Sequence, residues 1–152
     1  MPRTSVKILT VPEVAWIAHT LATRWLEWDE PIPPFSTRFP HKLESCLYVP
    51  FQTFGGRHLY KSLRAKGAIL FYLLVKNHPF QNGNKRIAVT SLLCFLAKNG
   101  QWLKVDTQEF YNFAVWVAAS PSSLKDETVT AVEAFLRQHM VNFPECLKDP
   151  SF

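Results

Sequence analysis

The chain has 152 residues, 47% hydrophobic and 19% charged, enough to bury about 70% of its unfolded surface and too apolar for intrinsic disorder. No apolar run approaches the ~20 residues of a membrane span and no charged segment leads into an apolar one at the start, so one cytoplasmic domain, residues 1–152, is expected. The net charge is +5, and Cys46, Cys94 and Cys146 lack metal-type spacing, which argues against zinc and against a disulfide framework and leaves Cys94, in an apolar run, as a core residue.

Thr10-Val11-Pro12-Glu13 has the form of a capping box and predicts a helix to about residue 27, with Val14, Ile17, Ala18, Leu21 and Trp25 toward one face. Pro31, Pro33 and Pro34 end it in an irregular loop, and a short helix follows at about 41–48. Phe51-Gln52-Thr53-Phe54 and Arg57-His58-Leu59-Tyr60 flank Gly55-Gly56, a hairpin signal; taken alone, such a hairpin covers the edge of a core. Helices are expected at about 62–76, 84–98, 107–119 and 123–140, with Asp106 capping the third and Asn99-Gly100 stopping the second.

Between the apolar runs 68–75 and 87–97 lies His78-Pro79-Phe80-Gln81-Asn82-Gly83-Asn84-Lys85-Arg86. A helix that starts near Gly83 presents backbone N–H groups without intrahelical acceptors and the positive end of its dipole, so an anion is favoured there. Gly83 permits close backbone approach. Lys85 and Arg86 add positive charge, and the Arg fork suits a phosphate. His78, on the upstream shoulder, is of the residue type that takes a hydroxyl proton near neutral pH. Phe80 is expected to point into the core and anchor the loop.

No acidic residue occurs between Glu44 and Asp106, whereas Arg57, Lys61, Arg64, Lys66, Lys76, Lys85, Arg86, Lys98 and Lys104 do. These cations are not interleaved along one helix face and accompany no nucleic-acid motif, so the bias points to a basic face for ATP or an acidic protein partner, with no direct nucleic-acid binding.

The nine-residue string resembles the signature of the Fic/Doc family, His-Pro-Phe-x-Asp/Glu-Gly/Ala-Asn-Gly/Lys-Arg, at every specified position except Asn82. Leu43-Glu44-Ser45, Pro50 to Gly56 with Leu59-Tyr60, and Ile8 to Val14 are similar to the death-on-curing (Doc) toxin branch. The resemblance is strong over about residues 43–100. It implies an all-α fold, a compact helical bundle with a small β-hairpin, the flap, at about 51–60 beside the active-site loop at 78–86. It further implies that His78 deprotonates a target hydroxyl, that Gly83, Asn84, Lys85 and Arg86 hold nucleotide phosphates, with Arg86 also catalytic, and that Phe51, Gln52, Thr53, Phe54, Gly55 and Gly56 align a target segment by strand pairing. ATP and Mg²⁺ are the implied cofactors. Lys85, where adenylyltransferring members generally carry Gly, favours γ-phosphoryl transfer as in the Doc branch, whose implied target is elongation factor Tu, with translation inhibited.

Asn82 stands where the family has an acid that helps hold Mg²⁺, which implies a weakened metal position. Two alternatives follow: a Fic-type adenylyltransferase, or a catalytically weak module that binds a nucleotide or partner. Self-inhibited relatives carry Ser/Thr-x-x-x-Glu-Gly/Asn; Thr23 to Glu27 precedes Trp28 and Ser123 to Glu127 precedes Thr128, so inhibition is expected from an antitoxin in trans.

Overall fold

The computed structural model describes residues 5–25 and 31–143. Helix α4, Leu63–Lys76, is buried at every residue from Lys66 to Val75. A helix apolar around its whole circumference cannot lie on a surface, and the others pack about it. Ser62 starts α4 by accepting from the Ala65 N–H at 2.9 Å. Helix α5, Asn84–Lys98, packs beside it and is buried over most of its length. Helices α6, Thr107–Ala119, and α7, Lys125–His139, close the far side. Their joint is aromatic: Phe113 stacks on Phe135 with ring centres 4.1 Å apart, while Phe110 contacts Phe71 and Phe135 at 5.9 and 5.6 Å. Asp106 caps α6 by accepting from the Gln108 and Glu109 N–H groups, as its position in the sequence implies.

At the N-terminus Thr10 and Glu13 form the expected reciprocal capping box around the short α1, Val11–Glu13. A π turn, Val14–Ala18, then leads into α2, His19–Trp25. This turn changes the helical phase. Val14, Ala18 and Ala22 are buried, whereas Ile17 and Leu21, expected on the inner face, are exposed. The Ala18 carbonyl at the junction accepts a bond from the buried Thr90 hydroxyl of α5 at 2.7 Å, which satisfies a group the interrupted α pattern would leave open. The expected end of this helix, near residue 27, lies outside the described residues.

A 3-10 turn, Phe35–Thr37, follows the Pro-rich stretch, and α3 runs Pro40–Tyr48. The flap is an antiparallel pair, β1 Thr53–Phe54 and β2 Arg57–His58, joined by Gly55 and Gly56 with φ of 58° and 77°. Two consecutive positive φ values are what a two-residue hairpin turn demands. Both strands are exposed, so this hairpin does not cover a core edge. Phe51 is not part of it: that residue ends a 3-10 turn, Val49–Phe51, and packs edge-on against Phe95 at 6.3 Å.

A second antiparallel pair was not foreseen. β3, Gln101–Leu103, pairs with β4, Met140–Asn142, and Trp102 meets Phe143 edge-on at 5.6 Å. Strands of three residues separated by two helices carry no local alternation signal. Their pairing ends α7 at His139 rather than at residue 140. The fold is all-α with two small strand pairs, and no described helix is long and apolar enough to cross a membrane.

Glu13 also reaches Lys98 of α5, with Oε1 2.7 Å from Nζ. Burial by itself raises the Glu13 carboxyl, but the Lys98 ammonium and the Thr10 bonds override it and leave the pKa lowered. An unfolded Glu titrates near ~4.3, so this pair stabilises fully above that pH and is lost as pH falls through the lower folded value. Glu13→Gln is expected to cost about 1 kcal/mol at pH 7, a fall in Tm of about 3 °C. Thermal melts of both proteins check this: the gap holds at pH 7 and narrows below about pH 4.

Candidate active site

The catalytic-loop candidate begins where α4 ends. The Asn77 N–H still donates to the Leu73 carbonyl at 2.9 Å, and then the chain turns abruptly at His78, whose φ is 48°. A left-handed conformation is uncommon for a residue with a Cβ and is held only by its surroundings. Here the surroundings are explicit. The Pro79 carbonyl accepts from the Phe39 N–H at 2.8 Å, tying the loop to the start of α3. Phe80 is buried, as expected, with its ring 5.8 Å from Phe35 and 6.2 Å from His19. His19 in turn meets Phe35 edge-on at 5.6 Å, with Nε2 3.0 Å from the Pro33 carbonyl oxygen.

The other end of the loop is closed by Asn84. Its Oδ1 accepts from the Phe80 N–H at 2.9 Å and its Nδ2 donates to the Phe80 carbonyl at 2.8 Å. These two bonds fix which way the amide points, and its NH₂ therefore faces His78 Nδ1 at 3.4 Å, a long contact that orients the ring weakly. Gly83 precedes α5 with φ 76°, and a Cβ there would lie 2.6 Å from Ile32 Cγ1. Both the backbone angle and the space require glycine. Gly83 at the N-cap offers no side-chain cap and the first turn of α5 holds no acid, so this helix start and its dipole suit an anion.

A cavity of about 490 Å³ opens over this helix start, lined by Val75, His78, Gln81, Asn82, Gly83, Asn84, Lys85 and Ala118. Its size is that of a small-ligand pocket. The sequence-derived set of His78, Asn82, Gly83, Asn84 and Lys85 thus faces one space. Arg86 is buried on the first turn of α5 and is not among the lining residues, and neither are the flap residues. Ala118 was missed, since it belongs to a helix remote in sequence. Lys76 secures that wall: its Nζ donates to the Ala118 and Ser120 carbonyls at 3.1 and 2.5 Å, serving the C-terminal end of α6.

The basic face expected from the charge pattern is only partly realised. Lys66 and Arg86 are buried, Lys76 is spent on α6, and Lys98 is paired with Glu13, an acid from outside the acid-free interval. The positive charge that lines the cavity comes from Lys85 and the helix terminus. No carboxylate lines it, and among the described residues no three or more His, Cys, Asp or Glu side chains gather to hold a metal. A protein-bound Mg²⁺ prefers at least one carboxylate, so these residues do not fit a resident Mg²⁺; Asn82 supplies neutral amide chemistry only.

The two described thiols, Cys46 and Cys94, do not line the cavity. Burial pushes Cys46 up to about 12 despite a hydrogen bond with Asn77, and burial with the Glu13 charge pushes Cys94 to about 11, so neither is a thiolate nucleophile near neutral pH. Cys94, expected in the core, is half-buried and packs against it, and Cys46 lies within it. Cys146 lies outside the described residues.

Comparison with known proteins gives a match to the Fic/DOC family model over residues 9–96. No curated protein and no solved structure matches. The matched span covers more than half of the chain and holds α1 to α4, most of α5, the flap and the whole His78 to Arg86 loop, so the chain belongs to the Fic/DOC family.

Proposed function

We propose that this protein is a Doc-like phosphotransferase that moves the γ-phosphoryl group of ATP to a hydroxyl of a protein. The observation that carries the reading is that His78 and the N-terminus of α5 face one cavity. In the step, His78 accepts the proton of the target Ser, Thr or Tyr hydroxyl, and that oxygen attacks the γ-phosphorus. The bond from the γ-phosphorus to the β,γ-bridging oxygen breaks and ADP leaves. The amides at Gly83 to Lys85, with the Lys85 ammonium, hold the phosphates, while Arg86, buried on the first turn of α5, does not line the cavity; catalysis is chiefly positioning and charge stabilisation. Mg²⁺ brought in by ATP would supply screening of phosphate charge, with Asn82 offering only an amide oxygen.

Lys85 supports γ-transfer over adenylylation because, by the resemblance to the Doc branch, a Lys here crowds a phosphate site that adenylylating relatives leave open with Gly. Elongation factor Tu is the target we propose, with translation inhibited, the cytoplasm as the compartment and an antitoxin in trans as the inhibitor. The flap, with exposed two-residue strands, offers backbone groups to an extended target segment.

Incubation with α- or γ-labelled ATP, elongation factor Tu and a cell lysate tests the reading. Label from the γ position alone is expected on protein. Label from the α position supports the adenylyltransferase alternative instead. His78→Ala is expected to lower transfer by ~10²- to 10⁴-fold without lowering Tm, since His78 is exposed and adds no core packing. Undiminished transfer by the folded variant defeats the assignment of His78 as base, and no transfer by the wild type favours the binding-module alternative.

Asn82→Asp is expected to lower the Mg²⁺ concentration for half-maximal transfer, because an anionic oxygen holds the hard cation better than an amide. The gain is largest at low Mg²⁺ and vanishes at saturation. A Mg²⁺ titration of both proteins checks this, and superimposed curves contradict it.

A further inference from the structure

Helix α4 carries a cation at a position where burial calls for an apolar residue. Lys66 is 2% exposed, and among the described residues no carboxylate pairs with it. An ammonium taken out of water without an acid is costly, so its retained contacts identify what it holds. There are two. Its Nζ donates to the Tyr60 carbonyl, and the same nitrogen lies 5.4 Å from the centre of the Phe51 ring. These residues flank the flap, one entering it and one leaving. Between them the Leu59 N–H donates to the Gln52 carbonyl at 3.0 Å, closing the hairpin root.

We propose that Lys66 is a positioning residue for target alignment: its ammonium fastens both ends of the flap to α4, the helix whose other end opens the His78 loop. The inference rests on the reading of the hairpin as the element that aligns the target. A buried α-helix is a stiff spacer, with ~1.5 Å of rise per residue. From Lys66 to Lys76 it sets a distance of roughly 15 Å along its axis between the clamp and the loop. The exposed strands themselves bury nothing, so the clamp adds to the short root and to the packing of Pro50 and Phe51 in holding them. Burial lowers the Lys66 pKa, in keeping with a cation held by a carbonyl dipole and a ring face rather than by a counter-charge.

Hydrogen exchange read by NMR on Lys66→Met tests the clamp, since Met keeps the apolar stem and loses the donor. Exchange at the Leu59 amide is expected to rise about tenfold, the scale of one charge-assisted bond, while the amides of Ile69 to Leu74 keep their protection. With elongation factor Tu as the substrate probe, KM for the protein is expected to rise several-fold with kcat and ATP affinity retained. Unchanged Leu59 exchange in the folded variant overturns the proposal, as does a fall in kcat at unchanged KM. Should Lys66→Met not fold, Phe51→Leu removes the ring face, leaves the cation and is expected to loosen Leu59 about threefold; no change there overturns the proposal equally. A wild-type protein that labels nothing defeats the reading of the His78 loop instead, and the exchange result still decides the clamp.

Discussion

The site depends on one side chain that closes the loop upon itself. Asn84 meets both backbone groups of Phe80 at 2.8–2.9 Å, and each such bond contributes about 0.5–1.5 kcal/mol net. The greater effect is geometric. With residues 80 and 84 joined, the intervening Gln81-Asn82-Gly83 has little freedom, and Phe80 must point inward while the first turn of α5 points to the cavity. Asp at this position keeps the acceptor and loses the donor, and apolar residues lose both. The same amide that shapes the loop also faces His78, so the proposed base and the proposed anion-binding turn share one support.

That loop is seated on a second layer. Ile32 presses on Gly83, Phe35 and His19 hold Phe80, and the Phe39 N–H holds Pro79. The stretch from Pro31 to Phe39, which reads as an irregular connection, is a bed for the reactive loop. Cations act in a similar internal way. Lys76 ties α6 to the end of α4, Lys98 ties α5 to Glu13, and Lys66 ties the flap to α4. Much of the charge that sequence suggests for solvent is used for joining elements whose carbonyls would otherwise lack donors.

The sequence conveyed the local structure well where a residue has one conformational job. Gly83 before Asn84 and Asp106 before Thr107 mark the starts of α5 and α6 at the residues observed, and Gly55-Gly56 marks the hairpin turn. It failed where a decision belongs to partners distant in the chain. The π turn at Val14–Ala18 depends on packing against α5, and it exposes Ile17 and Leu21. The β3 to β4 pair needs two helices in place before its strands meet. His78, Asn82, Gly83, Asn84 and Lys85 lie close together in the chain and were legible together, whereas Ala118 and the roles of Ile32 and His19 come from tertiary contact. Phe51, grouped with the flap by its place before Thr53, proved to be its half-buried root.

The central claim is that the N-terminus of α5 and the loop before it form a phosphate cradle beside His78. The most direct measurement is an amide-resolved NMR titration with ATP. The account predicts that the N–H signals of Gly83, Asn84 and Lys85 move most, together with the His78 ring, and that replacing ATP by adenosine removes these shifts. Shifts centred elsewhere, or equal responses to adenosine and ATP, would contradict it.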